Sequence, residues 1–371
     1  MKAVKISIIL PKEYSRSLLE DLFALGLRNI FVELGRNSLL DKGGSIRGLL
    51  SRKNLQSYPV EIVSFFALED HENSILSYFA KKYDLRTPGR GTIYSQNIDI
   101  LNSHQDYGPP SEIHFRMKHQ DSFFKQLAGV SCIVQRGEGD VINRISLNYG
   151  ASVPATTFGE GSGARDKLGL IRVTIPPEKE IINLVLSKHD LNPVMELVIS
   201  QGKLDQPGRG IAYVFAVKQG IINTKIARSG INQVASVEQM VSAIDSLKGG
   251  MEWRKSILEY DSLRRRDYLI SLSELNLVCE EGVGTKLTEA AMSSGAPGAT
   301  ICKIRFNSLD ENLELRRNIL EVCKMIVPSR QVPAINNALA KTGCFDNDAK
   351  AMLYAVPVEK AFTYRAKEIK K

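Results

Sequence analysis

Two short turns carry the densest chemistry in this sequence. Thr87-Pro88-Gly89-Arg90-Gly91 and Gln206-Pro207-Gly208-Arg209-Gly210 each place two glycines around an arginine, just ahead of an apolar strand. A glycine turn lets backbone N–H groups approach phosphate oxygens, and an adjacent guanidinium neutralises their charge. The same residues also make a plain turn into a strand, because Pro-Gly is common turn chemistry; both readings fit. No catalytic set competes with them. His71, His104, His114, His119 and His189 show no H-x-x-x-H or H-E-x-x-H spacing, and neither Gly-Arg-Gly is followed by the Gly-Lys-Ser or Gly-Lys-Thr of a phosphate-binding loop. No Ser-His-Asp or Cys-His arrangement follows from spacing, so the chain reads as a non-enzyme without a metal site. Cys132, Cys279, Cys302, Cys323 and Cys344 are odd in number, lie in apolar segments and form no C-x-x-C pair. They read as buried free thiols of a reducing compartment.

The elements that position these turns repeat along the chain. The two turns are offset by 208 − 89 = 119 residues, and the same offset places Glu61 on Glu180, Ile75 on Val194 and Tyr94 on Tyr213. A further 141 residues bring Glu180 to Glu321, Val198 to Leu339 and Tyr213 to Tyr354, where the Gly-Arg-Gly has become Ala349-Lys350-Ala351. Each copy alternates as a strand from Val4, Val130 or Leu275, then shows one apolar helical face, such as Leu18, Leu22 and Phe23. A second strand, a polar loop, a third strand, a second helix and a last strand follow. That order is β-α-β-β-α-β, which predicts an α+β fold of three ferredoxin-like units. The predicted boundaries are 1–98 for unit 1, 99–127 for a linker, 128–222 for unit 2, 223–268 for a helical connector and 269–371 for unit 3. The connector helix is announced by the capping box Ser236-Val237-Glu238-Gln239.

Composition sets the outer limits. With 371 residues, 43% of them hydrophobic, and a net charge of +8, the chain is globular and too long for one small core. Its Lys and Arg are scattered without aromatic interleaving or a known reader motif, so no nucleic-acid partner is expected, and an anionic small ligand or an acidic protein fits the charge as well. No stretch of about 18 apolar residues predicts membrane insertion. The N-terminus runs directly into a strand instead of a signal pattern, and a cytoplasmic location is expected.

The second repeat resembles the P-II nitrogen regulatory signalling family, through Gly150-Ala151, Gly159-Glu160-Gly161-Ser162-Gly163, Pro177-Glu178-Lys179-Glu180-Ile181 and Pro207-Gly208-Arg209-Gly210-Ile211-Ala212-Tyr213. Gly295-Ala296-Pro297-Gly298-Ala299-Thr300 extends the likeness into the third. P-II proteins are homotrimers of one such unit, so the resemblance implies a monomer built as an intramolecular pseudo-trimer, its three sheets facing a common axis. It also implies an adenine nucleotide (AMP, ADP or ATP) as effector in clefts between units. The matching residues are Gly89, Arg90, Gly91 and Glu61 in unit 1, with Gly208, Arg209, Gly210 and Glu180 in unit 2. Where the family carries Gly-Asp-Gly-Lys, the lysine position holds Thr92, Ile211 and Met352 here, and only Lys225 or Arg365 lies near the end of a last strand. The alanines of the third turn block the close approach that glycine permits, so that cleft is expected to be altered.

Loops between the second and third strands of each unit would regulate a target protein, as T-loops of the family do. Residues 36–58 carry Arg36, Lys42, Arg47, Arg52 and Lys53 against Asp41, and the second loop carries Arg165 and Lys167. Arg47, Arg52, Lys53, Arg165 and Lys167 are the candidate partner contacts. The expected function is therefore a nucleotide-responsive regulator of a partner protein. The alternative is an interaction or assembly scaffold that has lost nucleotide binding, as the absent lysines suggest.

Overall fold

The computed structural model describes residues 2–41, 54–104, 107–110, 122–163, 177–225, 240, 243–244, 247, 266–309, 315–346 and 349–365. The candidate partner contacts Arg47, Arg52, Lys53, Arg165 and Lys167 lie outside these residues, as does most of the predicted connector helix.

The first third of the chain runs β1 (Lys2–Pro11), α1 (Ser15–Ala24), β2 (Asn29–Asp41), β3 (Asn54–Ala67), α2 (Glu72–Lys82) and β4 (Thr92–Ser103). The second runs β5 (Leu127–Gln135), α3 (Gly139–Tyr149), β6 (Ala155–Gly163), β7 (Glu178–Ser187), α4 (Lys188–Gln201), β8 (Gly210–Ala216) and a short β9 (Gln219–Ile221). The third runs β10 (Leu272–Glu280), α5 (Gly284–Ser293), β11 (Gly298–Leu309), β12 (Leu315–Pro328), α6 (Val332–Lys341) and β13 (Met352–Thr363). β4 continues to Ser103, into the stretch read as linker.

Strand alternation assigns the two faces of the sheet to different cores. Along β1, Val4, Ile6, Ile8 and Leu10 pack outward against Leu18, Leu22, Ile75 and Phe79 of α1 and α2. Ala3 and Ile9, on the opposite face, join an inner core with Tyr94, Tyr213, Tyr354 and Phe31. The same division holds for α3 and α4, whose Ile142, Val194 and Val198 cover Val130 and Cys132. α5 and α6 cover Leu275 and Leu277 with Leu287, Ile335 and Leu339. Burial on both faces is why these strands read as near-continuous apolar runs. All five cysteines are buried and free.

The expected three ferredoxin-like units in an intramolecular pseudo-trimer are overturned by the sheet. All thirteen described strands belong to one antiparallel sheet that closes into a ten-stranded barrel with three further strands. The physical reason lies at the strand edges. β2 pairs beyond its own hairpin with β6 (Arg36↔Thr156), β6 with β11 (Glu160↔Ile301), and β11 with β2 (Arg305↔Val32). β13 pairs with both β8 and β4. An unpaired edge leaves a row of backbone donors and acceptors unsatisfied, and joining the edges removes that cost.

Candidate ligand cavity at the seam of the second and third repeats

Where the second repeat meets the third, the barrel wall opens into a cavity of about 690 Å³. The glycine turn of the second repeat forms one wall through Gly208 and Gly210. Gly210 adopts φ +126°, and a Cβ there would stand 2.1 Å from the Ile133 carbonyl oxygen, so only glycine lets this backbone lie against β5. Gln135 Nε2 donates to the Gly208 carbonyl at 3.0 Å, and Thr363 Oγ1 donates to the Gly210 carbonyl at 2.9 Å. The turn is thus fixed by both repeats while its outer side faces the cavity.

Another wall is the turn between α5 and β11, with Gly295 and Pro297, together with Thr300 at the start of β11. Ile133, Ile211, Leu269, Leu272 and Ile326 supply an apolar lining, and Lys179, Lys324 and Arg365 supply positive charge. Among the described residues that line the cavity there is no aspartate or glutamate. The lining also includes Gln331, whose buried Oε1 has no hydrogen-bond partner. Such a space fits a ligand with a flat apolar body and an anionic group.

The matching turn of the first repeat is filled by the chain itself. Gly89 N–H donates to Asn223 Oδ1 at 2.9 Å, Asn223 N–H donates to Thr92 Oγ1 at 3.1 Å, and Val153 N–H donates to the Asn223 carbonyl at 3.0 Å. A Cβ on Gly89 would meet Lys225 Cδ at 2.6 Å, so the lysine stem lies directly over the turn. An amide oxygen sits where an anion's oxygen would. The alanine turn of the third repeat is closed by strand pairing, with His104 N–H donating to the Ala351 carbonyl at 2.9 Å and Met352 paired to Ser103.

The remaining expected site residues have other partners. Arg209 pairs with Glu138, and Arg90 donates to Tyr14 Oη at 3.3 Å; neither arginine lines the cavity. Glu180 accepts the Gly139 N–H at the start of α3 at 2.8 Å and pairs with Arg36 of the first repeat at 3.3 Å. Glu61 pairs with Arg305 of the third repeat. Glu321 likewise accepts the Gly284 N–H at the start of α5, at 2.8 Å. A carboxylate at a helix N-terminus satisfies an orphan donor and favours the helix dipole. These glutamates serve helix ends and seams.

Sequence reading did not single out Lys179, Lys324, Gln331 or Asn223. Lys324 had a signal, since it interrupts the apolar run from Leu320 to Val327. Its Nζ donates to Glu33 Oε1 at 2.8 Å across the barrel interior. Burial works against both charges. Even so, the neighbouring Lys324 ammonium holds Glu33 below the usual carboxylate range, and Glu33 holds Lys324 well above the usual lysine value.

Among the described residues no group of three His, Cys, Asp or Glu side chains is placed to hold a metal, and no helix is long and apolar enough to cross a membrane. No protein-family model, curated protein or solved structure matches the chain. The likeness to P-II proteins therefore rests on the quoted residues alone.

Proposed function

We propose that the protein binds one small anionic effector, an adenine nucleotide first among candidates, in the seam between the second and third repeats. In this reading, occupancy changes how the adjoining loops engage a partner protein. The observation that carries it is the open glycine turn at Gly208 and Gly210, facing an apolar cavity that holds three cations and no carboxylate among its described lining residues. The turn and the cations suit phosphate oxygens, the aliphatic walls suit a base, and the unpartnered Gln331 Oε1 offers an acceptor to an exocyclic amino group. β6 lines this cavity through Gly161 and Ser162 and ends at Gly163, close in sequence to the expected partner contacts Arg165 and Lys167. Calorimetric titration with AMP, ADP and ATP tests the reading. Saturable binding near one ligand per chain, weakened by Gly208→Ala, is the expected result; absence of binding to all three removes it.

A second reading is an interaction scaffold without a ligand. It is favoured by the other two turns, which the chain closes with Asn223 and with the β4–β13 pairing. Hydrogen exchange separates the two, because only a ligand-responsive molecule gains nucleotide-dependent protection in residues 164–176.

A further inference from the structure

Lys324 belongs to the walls of two described cavities. Lys324 borders the 690 Å³ seam cavity and also an internal void of about 40 Å³, which is shared with Lys5, Glu33, Ser64 and Tyr354. Its side chain is 13% exposed, and that of its partner Glu33 is 15% exposed. Strand register places Lys324 opposite Asn276, where the corresponding pairs are Ser7 with Ser64 and Ser131 with Asn183. The ammonium is thus peculiar to the third repeat, and it stands at the seam that is open. Other charged groups near the pair are Lys5, which sits 5.6 Å from the Tyr354 ring, and Glu274.

An ammonium carries three donors, and the Glu33 carboxylate takes one. We propose that Lys324 reads the ligand: an anionic or acceptor group in the seam cavity takes hydrogen bonds from its ammonium in competition with Glu33. Occupancy then loosens the tie between β12 of the third repeat and β2 of the first. β2 runs on from Glu33 to Asp41, ahead in sequence of the expected partner contacts Arg47, Arg52 and Lys53. Two arrangements of one side chain, biased by ligand, would connect the seam to β2 of the first repeat. The inference rests on the cavity being a ligand site.

The test uses the full chain, with ADP and inorganic pyrophosphate as probes in calorimetry. Removing the competitor with Glu33→Gln is expected to tighten binding about tenfold, and Lys324→Met to weaken it by at least about tenfold, with Lys324→Arg retaining part of the affinity. Hydrogen exchange of residues 29–34 in the wild-type chain is expected to quicken with ligand, and not to do so in Lys324→Met. Should Glu33→Gln fail to fold, the paired variant Glu33→Gln with Lys324→Gln, which buries no net charge, is expected to match Lys324→Gln alone in lost affinity. Binding that stays within about twofold of wild type in folded variants, with unchanged exchange in residues 29–34, overturns the role of Lys324 and leaves the cavity reading standing. No binding of either probe overturns both.

Discussion

The turns at Gly89 and Gly208 share their letters and differ in what the neighbouring repeat does to them. At Gly89 the chain leaving β9 bends back, and Asn223 occupies the turn through its amide oxygen. At Gly208 the end of β13 borders the turn without filling it: Thr363 Oγ1 donates to the Gly210 carbonyl, Arg365 lines the wall, and a cavity remains among the described residues. Two substitutions between the repeats account for this. Thr92, whose hydroxyl accepts the Asn223 N–H, corresponds to Ile211, and 141 residues beyond Asn223 stands Tyr364, 39% exposed. The seams differ in the same sense. Arg36 reaches Glu180 and Arg305 reaches Glu61, while at the open seam the corresponding strand position is Glu160. Lys303 lies there among Glu281, Glu321 and Glu160, and its hydrogen bond to Glu281 raises its pKa. Of the two Gly-Arg-Gly turns, the one at Gly208 borders a cavity and the one at Gly89 is occupied by Asn223.

The contrast can be broken most severely at the backbone. Gly210→Ala drives a Cβ against the Ile133 carbonyl at an unfavourable φ, and urea unfolding is expected to show a loss of about 3 kcal/mol or more. Gly89→Ala meets only the flexible Lys225 stem, so an expected cost of about 1–2 kcal/mol should leave ligand affinity untouched. Next in size, Glu160→Arg supplies the guanidinium that the other two seams possess. A gain in thermal stability is the expected result, read from a melting curve. Asn223→Gly combined with Lys225→Ala should uncover the first turn and raise calorimetric stoichiometry from one ligand toward two; a value that stays at one would show that the Gly-Arg-Gly turn is insufficient even when open. The smallest effect concerns acid. Because Lys324 outweighs burial and lowers the Glu33 pKa on folding, the pair stabilises the protein above the carboxylate's unfolded pKa. That stability is lost as pH falls through the lower folded value, and Glu33→Gln should flatten this part of the acid-unfolding curve.

Much of this was written in the residues, though not in the ones that match. The 119- and 141-residue offsets locate the turns, the strands and the outward faces of the helices, because apolar periodicity is a local property. Closure of the barrel is not legible in the sequence, because it depends on the edges of β2, β6 and β11, whose pairings join residues of different repeats. Thr92 and Ile211 stand out in the sequence for the lysine they lack. Their consequence lies instead in whether Asn223 can dock, and Asn223 lies at the start of the expected connector. Lys324 escaped for a related reason: aligning repeats weights likeness, whereas this cavity depends on positions where the copies differ.

The seam between β11 and β2 has a consequence for how the protein is made. Arg305 pairs with Val32, partners separated by 305 − 32 = 273 residues. During synthesis the first two repeats are complete long before β11 leaves the ribosome, and for that interval β2 and β6 lack the neighbour that seals the ring. Long-range pairing of this kind is slow, and open edges invite association with other chains. The last third of the polypeptide therefore acts as the closing stave, and truncation ahead of residue 298 would leave a strand-edged, aggregation-prone intermediate.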